Sequence, residues 1–200
     1  MSTPAMVIAR LYEHIEPLDR GDRYEDPLDA ELKSRKLGSV TGGGSQMNEL
    51  GGIDFADIEI ELTNLPDGLT LVANTLEQFG APEGSEILGD GGVLREFGTQ
   101  QCVAVYLDGV SLPEDVYAEL DFDALVETLG AAAAPGSFRG FWQGPEETGL
   151  YFFGPSADQM FAQLEPALQR LPIGQNARVV IRAGKPTLAS RTVRMPRAAE

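Results

Sequence analysis

The clearest alternation of hydrophobic and polar positions lies between Phe55 and Leu62. Apolar residues at 58, 60 and 62 alternate strictly with acidic residues at 57, 59 and 61. A period of two residues is typical of a β-strand with two unlike faces. The pattern therefore predicts a strand that carries three carboxylates about 7 Å apart along one face. These carboxylates belong to Asp57, Glu59 and Glu61.

The rest of the first half shows further patterns of strands and helices. An apolar run from Met6 to Tyr12 predicts the first strand, and the charged segment after it, residues 17–24, predicts a loop. Asp26 followed by Pro27 is typical of a helix start. The other predicted elements are a helix over 27–36, a short strand at 39–41, a mobile glycine-rich connection to about residue 54, a helix over 66–79 and a strand at 86–88. The predicted order is β-α-β-β-α-β.

The second half repeats this order. Its predicted strands lie at 102–107, 137–142, 150–153 and 177–181, and its predicted helices at 113–130 and 155–171. Gly38-Ser39-Val40 matches Gly136-Ser137-Phe138 at the corresponding place, which indicates an internal duplication.

The order of elements predicts an α+β fold of two tandem ferredoxin-like repeats with antiparallel sheets. We expect the first repeat at residues 1–98 and the second at 99–183. A basic C-terminal tail is expected at 184–200.

The net charge of the chain is more informative about its binding partners than the rest of its composition. The 200 residues include 31 Asp and Glu against 15 Lys and Arg, a formal net charge of −16. Such a surface repels nucleic acid and anionic lipid and attracts basic proteins. The simpler interpretation of the charge is solubility alone.

Cysteine content and hydropathy predict a protein without intrachain disulfides and without membrane spans. The single cysteine, Cys102, lies in an apolar run, so an intrachain disulfide is impossible and a core position is expected. No apolar run approaches the length of a membrane span. We therefore expect a soluble, cytoplasmic protein that contacts no membrane.

No motif in the chain indicates catalysis, a cofactor or a metal. The run Gly42-Gly43-Gly44-Ser45 has no following lysine, so the phosphate-binding pattern fails. His14 is the only histidine and has no partner of the kind that zinc sites or catalytic triads need. The carboxylate row could hold Ca²⁺ or Mg²⁺ or act as an acid/base pair, although such rows more often face water or basic residues on the next strand.

The two predicted open sheet faces differ in chemistry. One carries Asp57, Glu59 and Glu61, and the other carries Tyr151 and Phe153 at comparable positions. Stacking on RNA would suit the aromatic face, but the net charge opposes it. We therefore predict protein binding at these faces, through Asp57, Glu59, Glu61, Trp142, Tyr151 and Phe153.

A resemblance adds to this interpretation. The segments that carry it are Leu11-Tyr12, Ile15 to Gly21, Arg23 to Leu28, Gly38 to Gly44, Asp57 to Leu62 and Gly80 to Ser85, with a weaker match over Trp142 to Pro155. They resemble a group of acidic bacterial proteins of similar length, which we associate with immunity-type proteins. Immunity-type proteins neutralise secreted antibacterial toxins, so the resemblance implies a binding role and assigns no functional residue.

Three hypotheses follow. The first is a non-enzymatic immunity protein or inhibitor that neutralises a basic toxin of the nuclease or deaminase type. The alternative is a small-molecule- or metal-binding protein, or an enzyme, with its site between the two repeats. The third is a module that forms a homodimer through Tyr151 and Phe153.

Overall fold

The computed structural model describes residues 4–186, 188 and 190–196. The chain divides into two compact units. We call Met1–Glu49 together with Ile53–Thr99 the N-terminal unit, and Leu50–Gly52 together with Gln100–Glu200 the C-terminal unit. The fold is α+β, with one five-stranded antiparallel sheet in each unit.

Strands and helices of the N-terminal unit lie close to the predicted places. The strands are β1 (Ala5–Leu11), β2 (Gly38–Met47), β3 (Ile53–Leu62), β4 (Ser85–Gly89) and β5 (Gly92–Phe97). The helices are α1 (Pro17–Arg20), α2 (Asp26–Ser34) and α3 (Leu65–Gln78), and a π-helical turn at Gly21–Glu25 joins the first two. The strand order is β2-β3-β1-β4-β5. β3 confirms the predicted alternation, because Ile58, Ile60 and Leu62 are buried in the core.

The predicted loop at residues 17–24 is wrong, because the chain there is helical. Arg20, Tyr24, Leu28 and Leu32 are all buried at a spacing of four residues. This spacing places them on one face of a helix, and the polar residues between them stay outside. The segment was predicted to be a loop because its charged residues outweigh its apolar ones when polarity alone is considered.

The predicted mobile connection after residue 41 is also wrong, because β2 continues through its glycines to Met47. The Arg20 guanidinium holds this strand by donating to the Gly44 carbonyl at 2.9 Å and to Ser45 Oγ at 3.0 Å. A Cβ atom at Gly43 would lie 2.5 Å from Glu25 Oε1 and 2.8 Å from the Asp57 carbonyl oxygen. The glycine therefore permits a close approach of strand and helix.

The C-terminal unit has a sheet of the same size. Its strands are β6 (Gln101–Asp108), β7 (Ser137–Gln143), β8 (Glu147–Gly154), β9 (Arg178–Arg182) and β10 (Arg191–Arg194). Its helices are α4 (Glu114–Ala118), α5 (Phe122–Ala132) and α6 (Ala157–Arg170), followed by a 3-10 turn at Pro172–Gly174. The strand order is β10-β9-β6-β8-β7. One face of this sheet packs on the helices through Val105, Leu150 and Phe152.

Part of the predicted basic tail belongs to this sheet. Residues 191–194 form β10, which pairs with β9. Met195 then donates its backbone N–H to the Ala177 carbonyl at 2.8 Å, and its side chain is buried in the core. Residues 187, 189 and 197–200 of the predicted tail lie outside the described part of the chain.

The two sheets share details of register. A β-bulge lies between Val40 and Gly42 in β2, and another lies between Phe138 and Gly140 in β7. The helices α3 and α6 each have 14 residues. Each begins after a residue whose side chain accepts a hydrogen bond from the backbone N–H of the third helical residue, Asn64 in α3 and Ser156 in α6. The two halves are therefore similar in local structure as well as in order.

Candidate functional site

The first residue of the predicted carboxylate row is committed to an ion pair. Arg10 lies opposite Asp57 across β1 and β3 and donates to both of its carboxylate oxygens, at 2.9 and 2.8 Å. This hydrogen bonding raises the pKa of Arg10. The guanidinium also lies 3.8 Å from the ring centroid of Phe55. Asp57 therefore neutralises a neighbouring cation instead of presenting a separate negative charge.

The same end of the sheet face contains a second polar contact. The Tyr12 hydroxyl donates to Glu86 Oε2 at 2.8 Å, and the Tyr12 ring meets Phe55 edge to face at a centroid distance of 6.3 Å. Together with the Arg10–Asp57 ion pair, these contacts give the polar side chains at this end of the face partners within the protein. This arrangement favours a structural role for Asp57 and Glu86.

The other two carboxylates of the row remain separate charges. Glu59 is exposed and Glu61 is half-buried. Neither forms a salt bridge with any residue that the structure describes. A Cβ atom at Gly42 would lie 3.1 Å from Glu59 Oε2, so the glycine of the neighbouring strand leaves room for this carboxylate. Glu59 and Glu61 are the part of the predicted site that stays accessible to a cationic partner.

Phe153 is a core residue, which corrects the prediction that it lies on an accessible aromatic face. Its relative exposure is 1%, and it clusters with Cys102 and Ala104. The guanidinium of Arg139 lies 4.9 Å from the centroid of its ring. A buried aromatic ring of this kind contributes to stability and offers no surface to a partner.

Tyr151 is also mostly enclosed. Its ring meets Tyr106 edge to face at a centroid distance of 6.2 Å, and burial raises the pKa of both phenols. Arg178 stacks 3.9 Å from the Tyr106 centroid and donates to both oxygens of Glu147, at 3.1 and 2.5 Å. The pair of tyrosines is thus held by a stacked and paired arginine.

Trp142 lies at the margin of this aromatic group. Its side chain is half-buried, and its ring fills the space that a side chain at Gly144 would occupy. Of the three predicted aromatic residues, Trp142 lies in the sheet's edge strand, β7.

Sequence reasoning missed an acidic surface, which is formed by the helices α4 and α5 and the residues between them. Six carboxylates lie between residues 114 and 127, and all are exposed. They are Glu114, Asp115, Glu119, Asp121, Asp123 and Glu127. None of them forms a salt bridge within the described residues. A signal was present in the sequence, because the stretch from Glu96 to Phe138 contains no lysine, arginine or histidine.

A groove of about 410 Å³ lies on this acidic surface. Its apolar floor is formed by Val116, Leu120, Leu125, Leu171 and Ile173. Its rim carries Asp115, Glu119 and Asp121. The volume falls within the range of roughly 300–1,000 Å³ that is typical of ligand pockets. The groove combines apolar contact area with negative charge, and none of the described residues that line it is basic.

A second, polar cavity of about 350 Å³ lies where β6 ends. Asp108 in its wall accepts hydrogen bonds from the Val110 and Ser111 backbone N–H groups, the Ser111 hydroxyl and Asn176 Nδ2. Although partial burial acts in the opposite direction, these bonds lower the pKa of Asp108 to about 2. The carboxylate therefore fixes the loop that follows β6.

The acidic and histidine side chains near residue 14 form a structural network. Glu13 is 1% exposed and accepts hydrogen bonds from Arg23 and from the Tyr24 hydroxyl, both at 2.7 Å. His14 is also buried, and its Nδ1 accepts the Ile53 backbone N–H at 3.1 Å. These bonds join the first strand to the helical segment and to the start of β3.

Within the described residues, no three His, Cys, Asp or Glu side chains are grouped so that they could bind a metal ion. No helix of that part of the chain has the length and apolar character needed to cross a membrane.

We expect millimolar Ca²⁺ or Mg²⁺ to leave the melting temperature unchanged. The reason is that Arg10 already occupies both oxygens of Asp57. Glu59 and Glu61, about 7 Å apart along the strand, supply too few clustered oxygens for cations that take six or more ligands. Differential scanning fluorimetry with and without the cation checks this, with EDTA-treated protein as the control. A reproducible rise that disappears in Asp57→Asn would contradict it, because a ligand of the native state stabilises by mass action.

No protein-family model matches the sequence, and no curated protein matches it.

Proposed function

We propose that this protein is a non-enzymatic, immunity-type protein that captures and neutralises a basic protein, such as a toxin of the nuclease or deaminase class. The observation that carries the proposal is the surface of α4 and α5. There, three exposed carboxylates line an apolar groove and three more lie on the same segment, and none of the six forms a salt bridge within the described residues. Unpaired exposed charges of one sign are costly to a compact protein, because they repel one another. A basic partner would relieve that repulsion.

The chemistry of this surface suits protein binding better than catalysis. Charge of one sign steers an oppositely charged partner and raises its association rate, whereas apolar contact area holds the partner after the encounter. The α4–α5 surface has both parts, a rim of carboxylates and a floor of aliphatic side chains. None of the described residues that line its groove is a histidine, cysteine or lysine that could serve as a base or nucleophile.

The sheet face of the N-terminal unit supplies a second acidic patch through Glu59 and Glu61. In this proposal Asp57 positions the face through its pair with Arg10, and Trp142 belongs to the accessible margin of the C-terminal unit. Phe153 supports that unit from its core, and the half-buried Tyr151 packs against the same cluster. The resemblance to immunity-type proteins points to the same class of function.

We further propose that each half is a ferredoxin-like unit extended by one edge strand, and that the two arose by duplication. The orders β2-β3-β1-β4 and β7-β8-β6-β9 both insert the third strand of the half between its first and second, as a split β-α-β unit requires. The shared bulges and the equal lengths of α3 and α6 support the duplication. Divergence then left acids at Glu59 and Glu61 in β3 and aromatic residues in β8.

Affinity capture from the native host tests the proposed function. We expect the tagged protein to retain a basic protein at low salt and to release it as salt rises, because screening shortens the range of the attraction. Mass spectrometry identifies the captured protein, and an equimolar amount of the acidic protein should abolish its toxicity or enzymatic activity.

The matched control bait is Asp115→Lys with Glu119→Lys, which reverses two exposed charges of the α4–α5 surface and should retain the fold. A captured protein that is acidic, or whose activity persists in the complex, would contradict the proposal.

A further inference from the structure

The groove between α4, α5 and the turn after α6 has the form of a helix-binding site. Leu125 and Ile173 form the buried part of its floor, and Val116, Leu120 and Leu171 are half-buried around them. Several lining residues, among them Asp115 and Ala124, are exposed, so the floor is an open trough rather than a closed cavity. A trough of this kind receives a row of side chains better than it encloses a compact ligand.

The rim of the groove specifies the charge of its occupant. Asp115, Glu119 and Asp121 are exposed along it, and all three lack a salt bridge within the described residues. Asp121 also accepts the Ala124 backbone N–H at 3.0 Å, which fixes its carboxylate at the start of α5. The other exposed acids of this segment, Glu114, Asp123 and Glu127, extend the negative field beyond the rim.

From this combination we infer that the groove binds a basic amphipathic α-helix of the partner protein. This inference rests on the proposed function and names the part of the partner that is recognised. Apolar side chains of such a helix at positions i, i+3, i+4 and i+7 enter the trough. Lysine and arginine residues on the flanks of that stripe lie against the carboxylates of the rim. A second copy of this chain is a poor occupant, because its net charge of −16 opposes association with the same surface.

A synthetic peptide of leucine and lysine tests the inference with a defined probe. The peptide has about four helical turns, roughly 14 residues, with leucine at the i, i+3, i+4 and i+7 positions. Titration into ¹⁵N-labelled full-length protein should give saturable shifts in α4, α5 and residues 171–173. A peptide with glutamate in place of lysine is the matched probe and should not bind.

Three variants localise the binding. Asp115→Lys with Glu119→Lys should weaken peptide binding about three- to tenfold, because the exposed pairs that it removes become repulsive. Ala124→Trp places a large side chain in the groove from an exposed helical position and should abolish binding. Asp22→Lys with Asp26→Lys reverses the same number of charges on the helical segment of the N-terminal unit and should retain most of the affinity. Backbone spectra of each variant report whether the fold is intact.

Several results would overturn the inference. They are the absence of saturable shifts, equal binding of the glutamate peptide, shifts spread over the whole unit, or equal weakening in both pairs of charge reversals. Groove signals that move with protein concentration alone would show that a second copy covers the site, and would also overturn it.

The experiments distinguish failure of the inference about the groove from failure of the proposed function. A captured basic partner that binds Ala124→Trp as tightly as the natural protein would remove the groove as the site and leave the binding function intact. A captured protein whose activity is not neutralised would remove the function, whatever the peptide does.

Discussion

Truncation of Phe153 to alanine is expected to lower the free energy of unfolding by about 3–5 kcal/mol, the usual range for a buried phenylalanine. The ring is 1% exposed and packs with Cys102 and Ala104, so its removal leaves a cavity that rigid strands cannot close. Urea denaturation followed by circular dichroism measures the loss. The dissociation rate of a captured partner from the folded variant should stay unchanged, because the ring does not reach the surface.

Phe141 is the matched control for this experiment. It lies on β7 in the same unit, is 48% exposed and meets Phe122 edge to face at a centroid distance of 5.0 Å. Phe141→Ala should cost only about 0.5–1.5 kcal/mol, the value of an aromatic pair. If Phe153→Ala kept its stability and instead accelerated partner dissociation, Phe153 would be an interface anchor, as its place on the predicted aromatic face first indicated.

Strong local periodicity made the central strands and the long helices predictable. β3 alternates apolar and acidic residues, and the buried side chains at 58, 60 and 62 follow that pattern. The helices α3 and α6 begin within two residues of Pro66 and Pro155, where the sequence predicted them. Such elements carry their own signal, because one face is buried along the whole length.

Edge strands and mixed-charge helices were missed for physical reasons. The edge strands β5 and β10 were not predicted, and the edge strand β2 was predicted only at 39–41. Few side chains are buried in these strands, so their apolar signal is weak. The helix face formed by Arg20, Tyr24, Leu28 and Leu32 includes an arginine, which a hydrophobicity pattern counts as exposed. Hydrogen bonds to Glu25 and Gly44 are what make burial of that arginine possible.

The acidic chemistry of the candidate site was predictable from the sequence, but its position in the fold was not. The acidic character follows from composition, yet the pairing of Asp57 with Arg10 joins residues 47 positions apart. No local pattern reveals that pairing, and it removes one of the three carboxylates from the predicted row. The groove brings together α4, α5 and the turn after α6, so it exists only in the folded unit.

The second large effect concerns association with the captured basic partner. Reversal of Asp115 and Glu119 to lysine is expected to slow association about tenfold or more at low salt, because steering depends on charges close to the site. Glu59→Lys with Glu61→Lys should slow it by a smaller factor, since these residues form the second acidic patch. Both pairs are exposed or half-buried, so stability should change by only about 0.5 kcal/mol.

Asp22→Lys with Asp26→Lys is the control pair. Both residues are exposed on the helical segment of the N-terminal unit and belong to neither acidic patch, and their reversal changes the net charge equally. This pair should alter the association rate only through the overall charge of the protein.

The most direct test of charge-steered capture is the association rate constant of the partner, measured by stopped flow at about 10 mM and about 150 mM ionic strength. Charge-steered capture predicts a rate constant that falls steeply with salt in the natural protein. In Asp115→Lys with Glu119→Lys it should fall much less steeply, and in Asp22→Lys with Asp26→Lys it should fall nearly as it does in the natural protein. Rates that are independent of salt, or that fall equally in all three charge-reversed pairs, would contradict it.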